Sequence, residues 1–324
     1  MKAIIPAAGI GKRLRPHTLL VPKVMINLAG KPIIGHIIDA ISKAGVTQLE
    51  IIVGYKNDQV EQYVEKNYGD LHPGFPLQRE RKGLGHAVLQ GLEDSDEPAL
   101  IILGDTIFDL DFTKFLNLTH TTLAVVQVDD PRRFGVAETQ GDVVTRLVEK
   151  PENPQSNLAL VGLYYIKNQG RLKRAIERII AENITTKGEY QLTDAIQVMI
   201  ADGEEVHTKA ISGWYDCGTK ESLLSSHQFL LTSIQTREEI AHVIQHPPVY
   251  IHPDADVKNS VIGPNVTIAR DAVVRNAVLN NAIVGRSATV ENVVLKDSLI
   301  GDSAVVQESA RVLNIGDFSE LKFY

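Results

Sequence analysis

Ala3-Ile4-Ile5-Pro6-Ala7-Ala8-Gly9-Ile10-Gly11-Lys12-Arg13-Leu14-Arg15-Pro16 is a short apolar run that breaks into a glycine loop carrying three cations. The run predicts a strand and the glycines a tight turn at its carboxyl end. In sheets covered by helices, ligands sit beyond the carboxyl ends of the strands. Six cations (Lys2, Lys12, Arg13, Arg15, Lys23 and Lys31) precede the first carboxylate, Asp39, although the 324-residue chain carries a formal net charge of −7. Such a stretch in an acidic chain points to an anionic ligand. Backbone N–H groups of the turn, with nearby Lys and Arg, make a cradle for phosphates. A solvated run of basic residues is the alternative.

The loop is neither of two common phosphate motifs. Gly9-x-Gly11-x-x-Leu14 lacks the third glycine of a dinucleotide fingerprint, and Pro16 stands where the helix would run. No Gly-Lys-Ser/Thr closes it, so it is not a Walker A loop.

Outward from this loop, strands and helices alternate. Leu49 to Gly54 and the fully apolar Leu100-Ile101-Ile102-Leu103 read as strands; Lys31 to Ala44 and Asp58 to Asn67 read as helices. The alternation predicts a largely parallel sheet and sets the Gly104-Asp105 corner on the same rim as the glycine loop. After about residue 120 strands dominate: 123–128, 135–139, 143–148, 158–166 and 206–211, with helices at 169–181, 192–201 and from Thr219 to about Thr232. Together these predict one α/β domain over 1–235 with a mixed sheet.

Beyond His246-Pro247-Pro248 apolar residues recur every five or six positions. Ile251, Ile268, Val284 and Ile300 mark a repeat of 16 to 17 residues, followed four positions later by Ala255, Ala272, Ala288 and Ala304. That hexapeptide period predicts a parallel β-helix of four turns. We expect it over 251–324, after a linker at 236–250, with Phe318, Phe323 and Tyr324 in a tail that caps the coil.

Taken together, the motifs resemble the sugar-1-phosphate nucleotidylyltransferases over residues 1 to about 235. Gly9-Ile10-Gly11-Lys12-Arg13 through Pro22-Lys23 matches that family's Gly-x-Gly-x-Arg loop and Pro-Lys, with Lys12 where Thr or Ser is usual. Gln78 with Gly83-Leu84-Gly85-His86-Ala87 falls where the family reads the base, and Leu103-Gly104-Asp105 at its metal corner. Phe134-Gly135-Val136, Glu149-Lys150-Pro151, Gly162-Leu163-Tyr164 and Trp214-Tyr215-Asp216-Cys217-Gly218-Thr219 match its sugar segments. The resemblance implies a Rossmann-like mixed-sheet nucleotidyltransferase domain followed by a short left-handed parallel β-helix. It implies Arg13 and Lys23 as catalytic cations, and Ala8, Gly9, Gly11, Lys12, Arg13, Gln78 and Gly83 around the nucleotide. Gly135, Glu149, Lys150, Gly162, Tyr164 and Trp214 would meet the sugar phosphate, and Asp105 and Asp216 would hold Mg²⁺. Taken singly, several have plainer readings: Asp105 as a helix cap, Asp216 as a turn carboxylate, Tyr164 as packing, Trp214 as a core anchor, and His86 as a helix residue with no catalytic duty.

The substrates implied are a nucleoside triphosphate and a sugar 1-phosphate, dTTP and glucose 1-phosphate being the leading pair. UTP, or GTP with mannose 1-phosphate, is the alternative, since one methyl on a pyrimidine discriminates by only about 1–3 kcal/mol. A second acyltransferase activity in the coil and a non-catalytic regulatory subunit are further alternatives. The coil is expected to serve self-association into a homo-oligomer. Negative net charge argues against non-specific nucleic-acid binding, and no run reaches the roughly 18 apolar residues of a membrane span. With one cysteine, Cys217, and no export signal read at the start, the expected location is the cytoplasm.

Overall fold

The computed structural model describes residues 1–235 and 239–309. Two compact units emerge, Met1–Ser226 and His227–Tyr324. In the first, nine strands form one sheet in the order Pro73–Gly74, Gln48–Ile52, Lys2–Pro6, Ala99–Ile102, Leu158–Ile166, Thr121–Gln127, Val206–Ala210, Val143–Glu149, Gly135–Gln140. Lys2–Pro6 pairs in parallel with both of its neighbours, whereas Leu158–Ile166 runs antiparallel to Ala99–Ile102 and to Thr121–Gln127. The sheet is therefore mixed, as expected.

Periodicity explains the helices. In Ile33–Lys43 the five isoleucines at helical spacing are all buried. Lys31, expected in that helix, instead pairs with Leu28 in a short antiparallel ladder, because the ring of Pro32 crowds the residue before it out of the helical conformation. Gln169–Ala181 starts at Asn168, whose side chain accepts from Arg171 N at 2.9 Å, an N-cap. Helices Gln169–Ala181 and Leu192–Ala201 bury Leu172, Ile176, Ile179, Leu192 and Ile196 against the sheet.

Two further strands, Thr106–Asp109 and Gly213–Asp216, pair antiparallel and set Asp216 opposite Thr106. The Trp214-Tyr215-Asp216 stretch, read only as a motif, is thus a strand. Leu158–Ile166 breaks register between Leu160 and Tyr164. Gly162 sits in that break at φ 86°, and a Cβ there would stand 2.4 Å from Leu103 Cδ1. Only glycine lets the strand approach Leu103, whose N–H donates to the Gly162 carbonyl at 2.9 Å.

In the second unit, parallel strands stack at the predicted interval. Val249 pairs with Val266 and Val266 with Ala282; Val257 pairs with Val274, Val274 with Val290, and Val290 with Val306. Ala272, Ala288 and the paired valines 274 and 290 are fully buried between the faces. The arrangement is consistent with a left-handed β-helix. Its first rung lies in the stretch read as a linker: Val243–Gln245 pairs with Ser260–Ile262, the 17-residue offset being one turn of coil. The corners carry residues with positive φ in columns, Asn259, Asn276 and Asn292, then Asn265, Asn281 and Asp297, then Asp271, Ser287 and Ser303. Asn and Asp tolerate that conformation. Asn276 Nδ2 donates to Asn292 Oδ1 at 3.0 Å, linking one corner to the next rung. The tail with Phe318, Phe323 and Tyr324 lies outside the described residues.

Candidate active site

The carboxyl ends of Lys2–Pro6 and Ala99–Ile102 build one rim. Ala7 N donates to Ile52 O at 2.8 Å and Gly104 N to Pro6 O at 3.2 Å, which fixes the glycine loop beside the Gly104-Asp105 corner. Gly11, at φ 65°, folds the loop back so that its Cβ would stand 3.0 Å from Lys23 Cβ; Thr18 Oγ1 donates to the Gly11 carbonyl at 2.8 Å. Lys23 is buried, and its Nζ donates to Asp105 Oδ2 at 2.5 Å. A buried ammonium this close to a carboxylate needs its partner.

Asp216 arrives from the other side. Cys217 N donates to the carbonyl of Asp105, the turn residue just before Thr106–Asp109, at 3.0 Å, which sets the two aspartates beside each other at the ends of paired strands. Asp216 Oδ2 accepts from Gly218 N at 2.9 Å and Ser222 Oγ at 3.2 Å. A Cβ on Gly218 would stand 2.6 Å from that oxygen and 3.0 Å from an Arg13 guanidinium nitrogen. Arg13 and Asp216 therefore flank one glycine. Arg13, Lys23, Asp105 and Asp216, four residues spread over two hundred positions, meet on one rim. Cys217, buried behind them, has its thiol pushed up to about 12, by burial first.

Beside this rim lies a cavity of about 320 Å³, lined by Ala8, Gly9, Lys23, Gln78, Gly83 and Asp105 among others. Gln78 is buried, and its Nε2 reaches the Gly83 carbonyl and His86 Nδ1, both at 3.3 Å. Burial, followed by the charge of Lys82, lowers the pKa of His86, which favours the neutral ring beside the Gln78 amide. His86, given no duty from sequence, braces Gln78. Arg81 and Glu189 also line the cavity and went unread; Glu189 arrives on a tight turn bridged to Thr186, a contact no local pattern signals. Lys12 lies exposed in a single helical turn, Lys12–Leu14.

The remaining candidates form a second group joined to the first. Glu149 Oε2 accepts from Thr193 Oγ1 at 2.8 Å, and Glu149 Oε1 lies 3.0 Å from Lys150 Nζ. Gly135 packs against this pair; a Cβ there would stand 3.0 Å from Glu149 Oε2. Tyr164 is buried, its hydroxyl pKa raised by burial and then by the Glu149 charge, which places it behind that carboxylate. Trp214 meets Phe134 edge-on, ring centroids 5.4 Å apart, and Lys150 N donates to Phe134 O at 2.9 Å. Strand Gly213–Asp216 thereby runs from the aspartate rim to the Glu149 group.

A rim of two cations and two carboxylates beside a buried amide agrees with the matching family model, nucleotidyl transferase, which covers residues 2–233. The chain belongs to the nucleotidyl transferase family. A second model, the GMPPB C-terminal domain, matches residues 245–319. The bifunctional protein GlmU of Methanocaldococcus jannaschii is 38% identical over 238 residues, 73% of this nucleotidyl transferase and 56% of GlmU, so the match spans about half of that relative. Glucose-1-phosphate thymidylyltransferase of Streptomyces griseus is 31% identical over 313 residues, 88% of this chain and 87% of its own. The crystal structure of a UDP-glucose pyrophosphorylase complexed with UDP-glucose superposes with a TM-score of 0.60 at 25% identity, covering 72% of this chain and 99% of that one. Among the described residues, no helix is long and apolar enough to cross a membrane.

Proposed function

We propose that this nucleotidyl transferase moves a nucleoside monophosphate from dTTP to glucose 1-phosphate, releasing pyrophosphate. The observation that carries it is the convergence of Arg13, Lys23, Asp105 and Asp216 beside the Gln78 cavity. Both N–H groups of the Gln78 amide are engaged, so Oε1 is left as an acceptor. An acceptor suits the imino N–H that thymine and uracil share and opposes the N3 lone pair of cytosine. Arg13 meets the β- and γ-phosphates, and Lys23 bridges the sugar phosphate and the α-phosphate. Glu149, with Thr193 and Lys150 each using one side, keeps lone pairs for sugar hydroxyls, and Lys150 sets its cation at the sugar phosphate.

A phosphate oxygen of the sugar ester attacks the α-phosphorus in line. The bond from that phosphorus to the bridging oxygen breaks, and pyrophosphate leaves with the electron pair. No protein base is required, because a phosphate monoester with a second pKa of about 6 is mostly ionised at neutral pH. The cations stabilise charge that grows on the α-phosphoryl group and on the departing pyrophosphate. The donor set at Asp105 and Asp216, hard carboxylate oxygens with Asp216 Oδ2 fixed from behind, fits Mg²⁺. Held by those two carboxylates, the ion would supply positive charge to stabilise the charge that builds on phosphate oxygens.

The thymidylyltransferase of Streptomyces griseus, matched through nearly the whole chain, favours dTTP and glucose 1-phosphate. The uridylyl reading is second, favoured by the UDP-glucose pyrophosphorylase structure. A grid of five triphosphates against several hexose 1-phosphates, read as pyrophosphate, tests the pair; highest kcat/KM with UTP overturns dTTP. Asp105→Asn and Asp216→Asn are each expected to lose about 10²–10³ in kcat with circular dichroism unchanged. Near-normal turnover of either with Mg²⁺ refutes the metal assignment. Self-association through the β-helix belongs to the same reading, and a strict monomer by light scattering refutes it.

A further inference from the structure

Thr121–Gln127 and Ala99–Ile102 both run antiparallel to Leu158–Ile166, so the amino end of Thr121–Gln127 lies at the edge of the sheet opposite Asp105. There Val206 pairs with Thr121 and His207 with Thr122. Glu205 and His120 stand one residue before the starts of these two adjacent strands. Side chains two apart along a strand share a face, so Glu205 and His207 project together and His120 faces them.

We propose that His120, Glu205 and His207 form a site for a divalent first-row transition ion, with Asp142 orienting the His207 ring. The three candidate ligand atoms lie within 4.8 Å of one another. His207 Nε2 is 2.8 Å and His120 Nε2 3.8 Å from Glu205 Oε1. Bonds of about 2.0–2.2 Å in a tetrahedron put ligand atoms roughly 3.3 Å apart, between those two distances. The two imidazoles stack with centroids 4.6 Å apart, so one small movement brings both Nε2 atoms to a shared ion.

The other ring nitrogens are already occupied. Asp142 Oδ2, on the turn between Gly135–Gln140 and Val143–Glu149, lies 3.1 Å from His207 Nδ1. Thr119 Oγ1 lies 3.0 Å from His120 Nδ1. A carboxylate on the far nitrogen fixes the tautomer and ring of a metal-bound histidine. Imidazole ligands select zinc, copper or nickel over magnesium, so this site differs in chemistry from the Asp105–Asp216 pair. An ion here ties the starts of two strands to a hairpin turn.

The test titrates the full chain with ZnCl₂ by calorimetry in millimolar Mg²⁺, added to compete at the Asp105–Asp216 carboxylates proposed to hold it, and with Co²⁺ by visible absorption. One Zn²⁺ per chain is expected. His120→Ala and His207→Ala should each weaken it by more than about tenfold, and Asp142→Ala by about 10–100-fold. Asp105→Asn should leave it unchanged, and the visible Co²⁺ bands should vanish in the two histidine variants. No Zn²⁺ uptake by the wild type overturns the proposal. So does uptake that survives in the His120→Ala/His207→Ala double variant, or that disappears in Asp105→Asn. Circular dichroism checks that the variants, changed at the surface, remain folded.

Discussion

Gly83→Ala probes whether the cavity proposed to hold the base depends on two backbones lying closer than any side chain permits. Gly83 has φ +114°, and a Cβ there would stand 2.5 Å from the Tyr190 carbonyl oxygen and 2.8 Å from its nitrogen. Neither atom yields easily: Tyr190 N donates to Lys82 O at 2.7 Å, and Tyr190 O accepts from Gly85 N at 2.9 Å. A methyl group must part the two loops by about half an ångström to reach even a tight contact. The conformation alone costs about 1–3 kcal/mol in a non-glycine residue. The shift displaces the Gly83 carbonyl that orients Gln78, and Glu189 across the cavity. If that strain falls on nucleotide binding, kcat/KM for the triphosphate drops by roughly 5- to 150-fold. If it falls on folding, Tm drops by about 2–4 °C per kcal/mol. Pyrophosphate release at varied triphosphate, with scanning fluorimetry, separates the two. Gly9→Ala is the control: its Cβ meets nothing within 4 Å, so Tm should hold while KM rises from a methyl placed in the phosphate cradle. Gly83→Ala with wild-type Tm and KM refutes the close-approach argument.

Gln78→Ala should blur nucleotide choice, because the cavity loses its oriented acceptor; unchanged selectivity across dTTP, UTP and CTP refutes Gln78 as base reader. Cys217 should resist iodoacetamide at pH 8 in the native protein and react once denatured, since its thiol is buried with a pKa near 12; native labelling contradicts that placement. Asp39 is pushed up by burial but more than offset by Lys31 and by Tyr68 Oη, 2.8 Å from Oδ1, so its pKa is lowered. A lowered carboxylate stabilises the fold above its ordinary pKa of about 3.9, and that stability is lost as pH falls through the folded value. Tyr68→Phe should therefore lower Tm at pH 7 more than at pH 3; an equal loss at both excludes the carboxylate link.

Much of the fold was legible because its signals are local. Leu158–Ile166, Gln169–Ala181 and Leu192–Ala201 fall on the predicted bounds, the strand fixed by its continuous apolar run, the helices by their period and, for the first helix, its cap. In the β-helix the sequence interval is itself the rung, so Val257, Val274, Val290 and Val306 could be stacked on paper. The pair Thr106–Asp109 and Gly213–Asp216 was not legible: each strand is four residues long, and its partner lies a hundred positions away. Val243–Gln245 is three residues long and precedes Ile251, the first mark of the repeat, so the period counted from Ile251 does not reach it. The corner columns did leave a signal, Asn, Asp or Ser at the same interval, in a conformation those residues accept.

The site divides the same way, and the division bears on how it works. Arg13, Lys23, Asp105, Asp216 and Glu149 could be picked out because a charge beside glycine at a strand end needs a reason. Thr18, His86, Thr193 and Ser222 could not, since a neutral hydroxyl or imidazole acquires its part only from what the fold brings near it. Yet each fixes one side of a group that the proposal puts to work. Ser222 and Gly218 N hold Asp216 Oδ2, Thr193 holds Glu149 Oε2, and His86 with the Gly83 carbonyl takes both hydrogens of Gln78. Asp216 Oδ2 is thus pinned, both oxygens of Glu149 are held, by Thr193 and Lys150, and the N–H groups of Gln78 are engaged, so each group is set without further cost. Dipoles set before the substrate arrives need no reorganisation as charge moves to the leaving group, and in the proposed mechanism, which uses no protein nucleophile or base, that is the source of the rate. Ser222→Ala and Thr193→Val remove no charge, so a pure charge effect predicts nearly full activity from both; lost kcat at unchanged KM marks the pinning itself.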